Sequence, residues 1–226
     1  MIVKKFNIDD LGLEYFIGIT RMDFNLNKVL EVYNLTNEIE ALDYIFKFLE
    51  NIQEKYDDTM IQFFNDKYIL NQDHLLIAGY YTQKAFIYNN NVSKKKNIEF
   101  ILYLAANRKI KSSMEAFGIN PNDLKTGKLN FCIISRQNYL NDINNEVLQK
   151  LLAREIDLTL NAQNIEKYDK IKKFFELSNY QIEVVLNSYG LKRTDNEKEP
   201  VDNLDHLLMA LFDLICEKMA LLSVEK

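Results

Sequence analysis

The last helix-forming segment is what the fold of this chain must accommodate first. Between residues 202 and 222, Leu204, Leu207, Leu208, Leu211, Phe212, Ile215, Met219 and Leu222 recur at helical steps of three and four. Met209, Leu214 and Leu221 widen that stripe and leave a narrow polar side of Asp205, Asp213 and Glu217. A helix apolar nearly all round has to be covered, either by the chain's own core or by a partner. The sequence leaves both covers open. A chain of 226 residues is long enough to supply a core without disulfide or metal staples.

The rest of the chain alternates strand-like and helix-like runs. Segments 1–8 and 13–24 are rich in β-branched and aromatic residues and read as strands, as does "TMIQFF". "LNFCIIS" is apolar enough to be central in its sheet. Ile39, Leu42, Ile45, Phe46, Leu49 and Ile52 mark a helix over 37–56. A second begins near Asn71, a natural N-cap. The stretch 94–119 predicts a helical pair over 94–107 and 109–117, with Gly118 closing the second as a C′ residue. "NPNDLKTGK" reads as a turn-rich connection. Helices follow near 139–154 and 165–177, with "REIDLTLN" between them as a further strand. Ser178 can cap another helix that Gly190 closes, and "KRTDNEKEP" reads as a charged, mobile loop.

Chemistry is sparse. The glycines are too scattered for a phosphate-cradling loop, and there is no zincin helix or paired-cysteine framework. Cys132 and Cys216 sit in separate apolar runs and read as buried, reduced thiols. His74 and His206 each follow an Asp and precede two Leu in a helical run, so both rings are expected to be partly buried and hydrogen-bonded. An enzyme of small-molecule metabolism using His74 or His206 is the alternative, but no nucleophile pattern accompanies either. No catalytic residue, cofactor or metal is therefore expected. No apolar stretch is long enough to span a bilayer and no signal peptide opens the chain, so a cytoplasmic protein without membrane contact is expected.

Charge is uneven. The net charge is −5, yet residues 94–115 carry six Lys or Arg and two Glu. A solvated helix face and a phosphate-binding patch both fit that excess.

The residues around this patch resemble a known family. His74-Leu75-Leu76 with Ala78, Asn91-Val92-Ser93, Glu99, Ile101-Leu102, Arg108-Lys109-Ile110 and Phe117-Gly118-Ile119 fall in its order and spacing. The pattern is similar to the small regulatory, kinase-binding subunit of the KEOPS complex, the PRPK-binding protein (TPRKB) family, in its archaeal type. Resemblance is strongest over 70–119, and "LICEKMALL" is similar to the family's last helix. Lys109 departs from the family's usual Gln, and the chain exceeds the compact archaeal members in length.

The resemblance implies one α/β domain over 1–226, a central β-sheet flanked by helices with a long C-terminal helix. It implies a non-enzymatic adaptor in tRNA threonylcarbamoyladenosine modification, with the kinase-like ATPase subunit and the 3′ CCA end of tRNA as partners. The RNA contacts expected on this basis are Asn91, Lys94, Lys95, Arg108, Lys109, Ile110 and Lys111, with Lys96 a further cation. Arg108 leads because its planar guanidinium can fork onto phosphate or stack on a base. Asn91 is expected to cap a helix, ahead of hydrogen-bonding a base, and Glu99 to orient Arg108 or another nearby cation. Leu208, Phe212, Ile215 and Met219 are the expected kinase-facing residues. A protein-interaction adaptor without RNA binding remains the other reading.

Overall fold

The computed structural model describes residues 1–158, 160, 164–191 and 200–224. Of the loop expected to be mobile, 192–200, residues 192–199 lie outside the described residues and Pro200 opens the last helix; Thr159 and Asn161, at the end of the strand expected in "REIDLTLN", also lie outside them.

One antiparallel sheet organises the chain. Strands β1 (Ile2–Ile8), β2 (Leu13–Asp23), β3 (Thr59–Phe64) and β4 (Lys128–Ser135) lie in the order β1-β2-β4-β3, and β5 (Arg154–Ile156) pairs with the far end of β2. The β2–β4 register sets Phe16 opposite Ser135 and Asp23 opposite Lys128. β4 is thus an interior strand, as its apolar run predicts. It carries no polar-out alternation because helices cover both faces of the sheet.

On one face Ile17, Ile19, Met60, Cys132 and Ile134 enter a core closed by α3 (Gln72–Ile87), α4 (Lys96–Leu104), α5 (Ile110–Phe117), α8 (Ile165–Phe174), α9 (Asn179–Ser188) and α10 (Pro200–Val224). On the other, Met22, Ile61, Phe63, Phe131 and Ile133 pack under α1 (Leu26–Val32), α2 (Glu38–Lys55), α6 (Pro121–Lys125) and α7 (Leu140–Lys150). The fold is the expected α/β domain with helices flanking a central sheet.

Helix starts follow local chemistry. Asn71 caps α3 by accepting from the His74 N–H, and Ser178 with Gln181 forms a capping box on α9. The expected turn-rich connection contains a short helix instead. Asn120, Pro121 and Asp123 supply the N-cap, a proline in the first turn and a capping box for α6. Helix α1 was also not expected. At seven residues it is too short to show a period, although Asn25 caps it.

Gly190 has the left-handed φ (+73°) expected of a helix-closing glycine. Gly118 does not. Its φ is −72° and ψ 168°, an extended exit open to any residue. Glycine is required there by close approach, since a Cβ would stand 2.6 Å from the Met114 carbonyl oxygen.

Candidate nucleic-acid and partner interface

The loop before α4 is built around a buried carboxylate. Glu99, in the first turn, is 1% exposed and accepts the backbone N–H groups of Val92 (3.0 Å) and Ser93 (2.7 Å). The Ser93 Oγ accepts from the Lys95 N–H, and the Asn91 amide donates to the Ser93 carbonyl at 2.9 Å. Asn91 therefore ties the loop together and is not the helix cap. That position belongs to Lys95, whose side chain makes no capping bond. Nor does Glu99 orient Arg108. The two stand at opposite ends of α4, and the carboxylate is occupied by backbone donors.

The basic cluster also divides at α4. At its N-terminal end, Lys95 pairs with Glu50 on α2 at 2.6 Å, and Lys96 pairs with Asp58 while lying over the Phe86 ring at 5.9 Å. Lys94 is exposed and has no ion pair among the described residues. Carboxylates from α2 and the turn after it thus neutralise much of the positive charge at this end.

The other end differs. Lys109 and Lys111 are exposed without an ion pair among the described residues, and Ile110 between them is 45% exposed. Lys109 is the N-cap of α5, and its side chain makes no capping bond. The free N–H groups of a helix start already carry partial positive charge, so ammonium groups there are unfavourable unless an anion joins them. The Lys109 N–H donates to the Asn107 Oδ1 at 2.8 Å, and the N–H groups of the first turn that follow are of the kind an anion can join, with exposed Ile110 beside them.

Arg108 borders that start but is engaged elsewhere. It is half-buried, and its Nη2 donates to the Leu222 carbonyl in the last turn of α10 at 2.6 Å. Its Nε is buried without a hydrogen-bond partner among the described residues. A guanidinium on the last carbonyls of a helix satisfies an orphan acceptor and complements the negative end of the dipole. Arg108 thus links the basic end of the helical pair to the C-terminal helix, across 114 residues of sequence.

Helix α10 lies against α3, α4, α8 and α9, so its wide apolar stripe is covered mainly by the chain itself. Ile215 and Met219 are wholly buried. Leu208 and Phe212 are half-buried and pack against the same core. Leu221 and Val224, beyond them, are 49% and 72% exposed. No described helix is long and apolar enough to cross a membrane.

Among the described residues the histidines and thiols differ in their surroundings. His74 is fully buried; its Nδ1 accepts from the Leu70 N–H (3.2 Å), so Nε2 carries the proton and donates to the Leu104 carbonyl (3.1 Å). Burial pushes its pKa down to about 4, keeping the ring neutral. His206, expected to be partly buried, is exposed because it falls beside Asp205 on the polar side of α10. Burial drives the Cys132 thiol pKa far up and that of Cys216 up to about 12, so neither offers a thiolate. Cys216 is half-buried, less enclosed than expected. Among the described residues no group of His, Cys, Asp and Glu could hold a metal ion.

The model of the kinase binding protein CGI-121 family matches residues 32–223. The chain belongs to the CGI-121 family. No curated relative matches it. The CGI-121 match takes in the Glu99-centred loop, the α4–α5 pair and nearly all of α10, and leaves β1 and β2 outside.

Proposed function

We propose that this chain is a non-catalytic kinase-binding subunit of the KEOPS complex, serving tRNA threonylcarbamoyladenosine modification. In this reading it binds the kinase-like ATPase subunit and the 3′ CCA end of tRNA, and another subunit performs the chemistry. The observation that carries it is the kinase-binding family match over residues 32–223. His74 is sealed in the core and His206 is exposed on a helix surface.

The RNA part is supported by the start of α5. Lys109 and Lys111 supply cations for phosphates, and exposed Ile110 supplies an apolar surface for an unstacked base. Arg108 borders this surface, and Asn91, Lys94 and Lys95 form a second, weaker edge at the other end of α4. The kinase part is assigned to α10. Leu208 and Phe212 present their open sides to the partner, while Ile215 and Met219 anchor the helix from beneath.

The test is co-elution with the kinase-like ATPase subunit, followed by a tRNA gel shift. A stable complex that retains tRNA is expected. Failure to co-elute overturns the kinase assignment. Co-elution without tRNA affinity selects the pure protein adaptor, a reading favoured by the pairing of Lys95 and Lys96 with Glu50 and Asp58.

A further inference from the structure

On the opposite face of the sheet from α5, helices α2 and α7 flank an open groove of about 670 Å³. Its size is that of a small-molecule site. Tyr33 and Tyr44 stack at one end with ring centroids 4.5 Å apart, and the Tyr33 hydroxyl donates to the Lys150 carbonyl at 2.6 Å, fixing that wall. The Lys150 ammonium lies over both rings, 5.2 Å from the Tyr33 centroid and 5.7 Å from that of Tyr44. The ammonium thus stands beside the shared edge of the stacked pair, and a ring entering the groove would displace it.

The remaining lining is cationic and amide-bearing. Lys47, Lys55 and Lys150 face a single acid, Glu146, which is taken up by Lys55 at 2.7 Å. Lys47, Asn51 and Gln149 are exposed to water, Lys47 without an ion pair and the two amides without a hydrogen bond among the described residues. In a chain of net charge −5, a groove with excess positive charge and open amides is complementary to an anion with hydrogen-bonding edges.

We propose that the α2–α7 groove binds a nucleotide unit, its base against the Tyr33–Tyr44 pair and its phosphate at Lys47. Tyr44 and Lys47 are neighbours on one face of α2, about 5–6 Å apart at their Cβ atoms, so a base on the ring leaves its phosphate within reach of the ammonium. The unbonded amides of Asn51 and Gln149 meet the polar edges of base and ribose. The unit is either a free nucleotide or part of an RNA strand. This site is independent of the α5 surface and of the kinase assignment.

The test is amide-shift titration of the full ¹⁵N-labelled chain with AMP, a short oligoadenylate, ribose 5-phosphate and oligoglutamate. AMP or oligoadenylate is expected to move the amides of Lys47, Asn51 and Gln149. Ribose 5-phosphate is expected to bind about tenfold more weakly, the worth of a stacked base. Lys47→Glu, at an exposed side chain, is expected to weaken AMP about tenfold without changing the denaturation midpoint. Tighter AMP identifies a free nucleotide as the source, and tighter oligoadenylate an RNA strand; both support the site. Ribose 5-phosphate or oligoglutamate binding as tightly as AMP overturns it, as do shifts confined elsewhere or an unaffected Lys47→Glu variant.

Discussion

Replacing Arg108 tests whether it is a latch on α10 as well as a neighbour of the candidate RNA surface. Arg108→Met keeps much of the aliphatic stem and removes the donor. The lost bond is charge-assisted, a class worth about 1.5–3 kcal/mol, and it acts on a helix terminus, where a cation adds about 0.3–1 kcal/mol. The site is half-open to water, which replaces part of the bond, so the expected loss is about 1.5–2 kcal/mol. For a domain of this size that lowers Tm by about 3–8 °C. Urea denaturation followed by circular dichroism gives the free energy, and hydrogen exchange locates it. Protection should fall in the last turn of α10, at Met219 to Leu222, before it falls in β4. A midpoint within about 0.3 kcal/mol of wild type, with α10 exchange unchanged, would refute the latch. The same geometry makes Arg108→Ala a poor sole reporter of RNA binding, because its effect would mix a lost phosphate contact with a loosened α10. The Lys109 and Lys111 side chains have no such second bond among the described residues and are the cleaner reporters.

Two further outcomes follow from buried groups. Glu99→Ala leaves the Val92 and Ser93 N–H groups without their acceptor and should cost about 2–3 kcal/mol by urea denaturation, with faster exchange confined at first to residues 91–96. His74 makes stability depend on pH with a definite sign. Its folded pKa of about 4 lies below the ordinary 6.5, so the unfolded chain binds a proton that the folded one refuses. Its contribution is fully present above pH 6.5 and is lost as pH falls toward 4, by up to about 3 kcal/mol. His74→Leu should lower stability at pH 7.5 by stranding the Leu70 N–H and the Leu104 carbonyl, and should flatten that part of the pH profile. An unchanged profile would sink the assignment.

The strands and long helices were legible because their apolar residues recur at periods of two or near four, or form an unbroken run as in β4. Helices α1 and α6 were not, since elements this short are defined by their caps, and Asn25 and Asn120 are cues any turn also uses. The basic stretch was visible as composition, but its division was not. Lys95 and Lys96 meet their carboxylates across 45 and 38 residues, and Arg108 meets Leu222 across 114. Pairings at such separations come from β3, which packs against α2 on one face and α4 on the other, and from α10 packing on α4, which no local pattern encodes. The C-terminal stripe was legible as a surface needing cover. That α3, α8 and α9 supply most of that cover became visible only in the fold.

The central claim is that the start of α5 holds the 3′ end of tRNA, and a paired binding measurement tests it most directly. Wild type and a Lys109→Glu/Lys111→Glu variant are titrated with one tRNA, with and without its CCA tail, across a salt series. The account predicts that wild type prefers the tailed tRNA by about tenfold or more. The variant should lose that preference at a denaturation midpoint no lower than that of wild type, since two carboxylates replace two ammonium groups at a helix N-terminus, with the slope of log affinity against log salt shallower by about 1.4. A wild type indifferent to the tail, or a preference that survives in the variant, would contradict it.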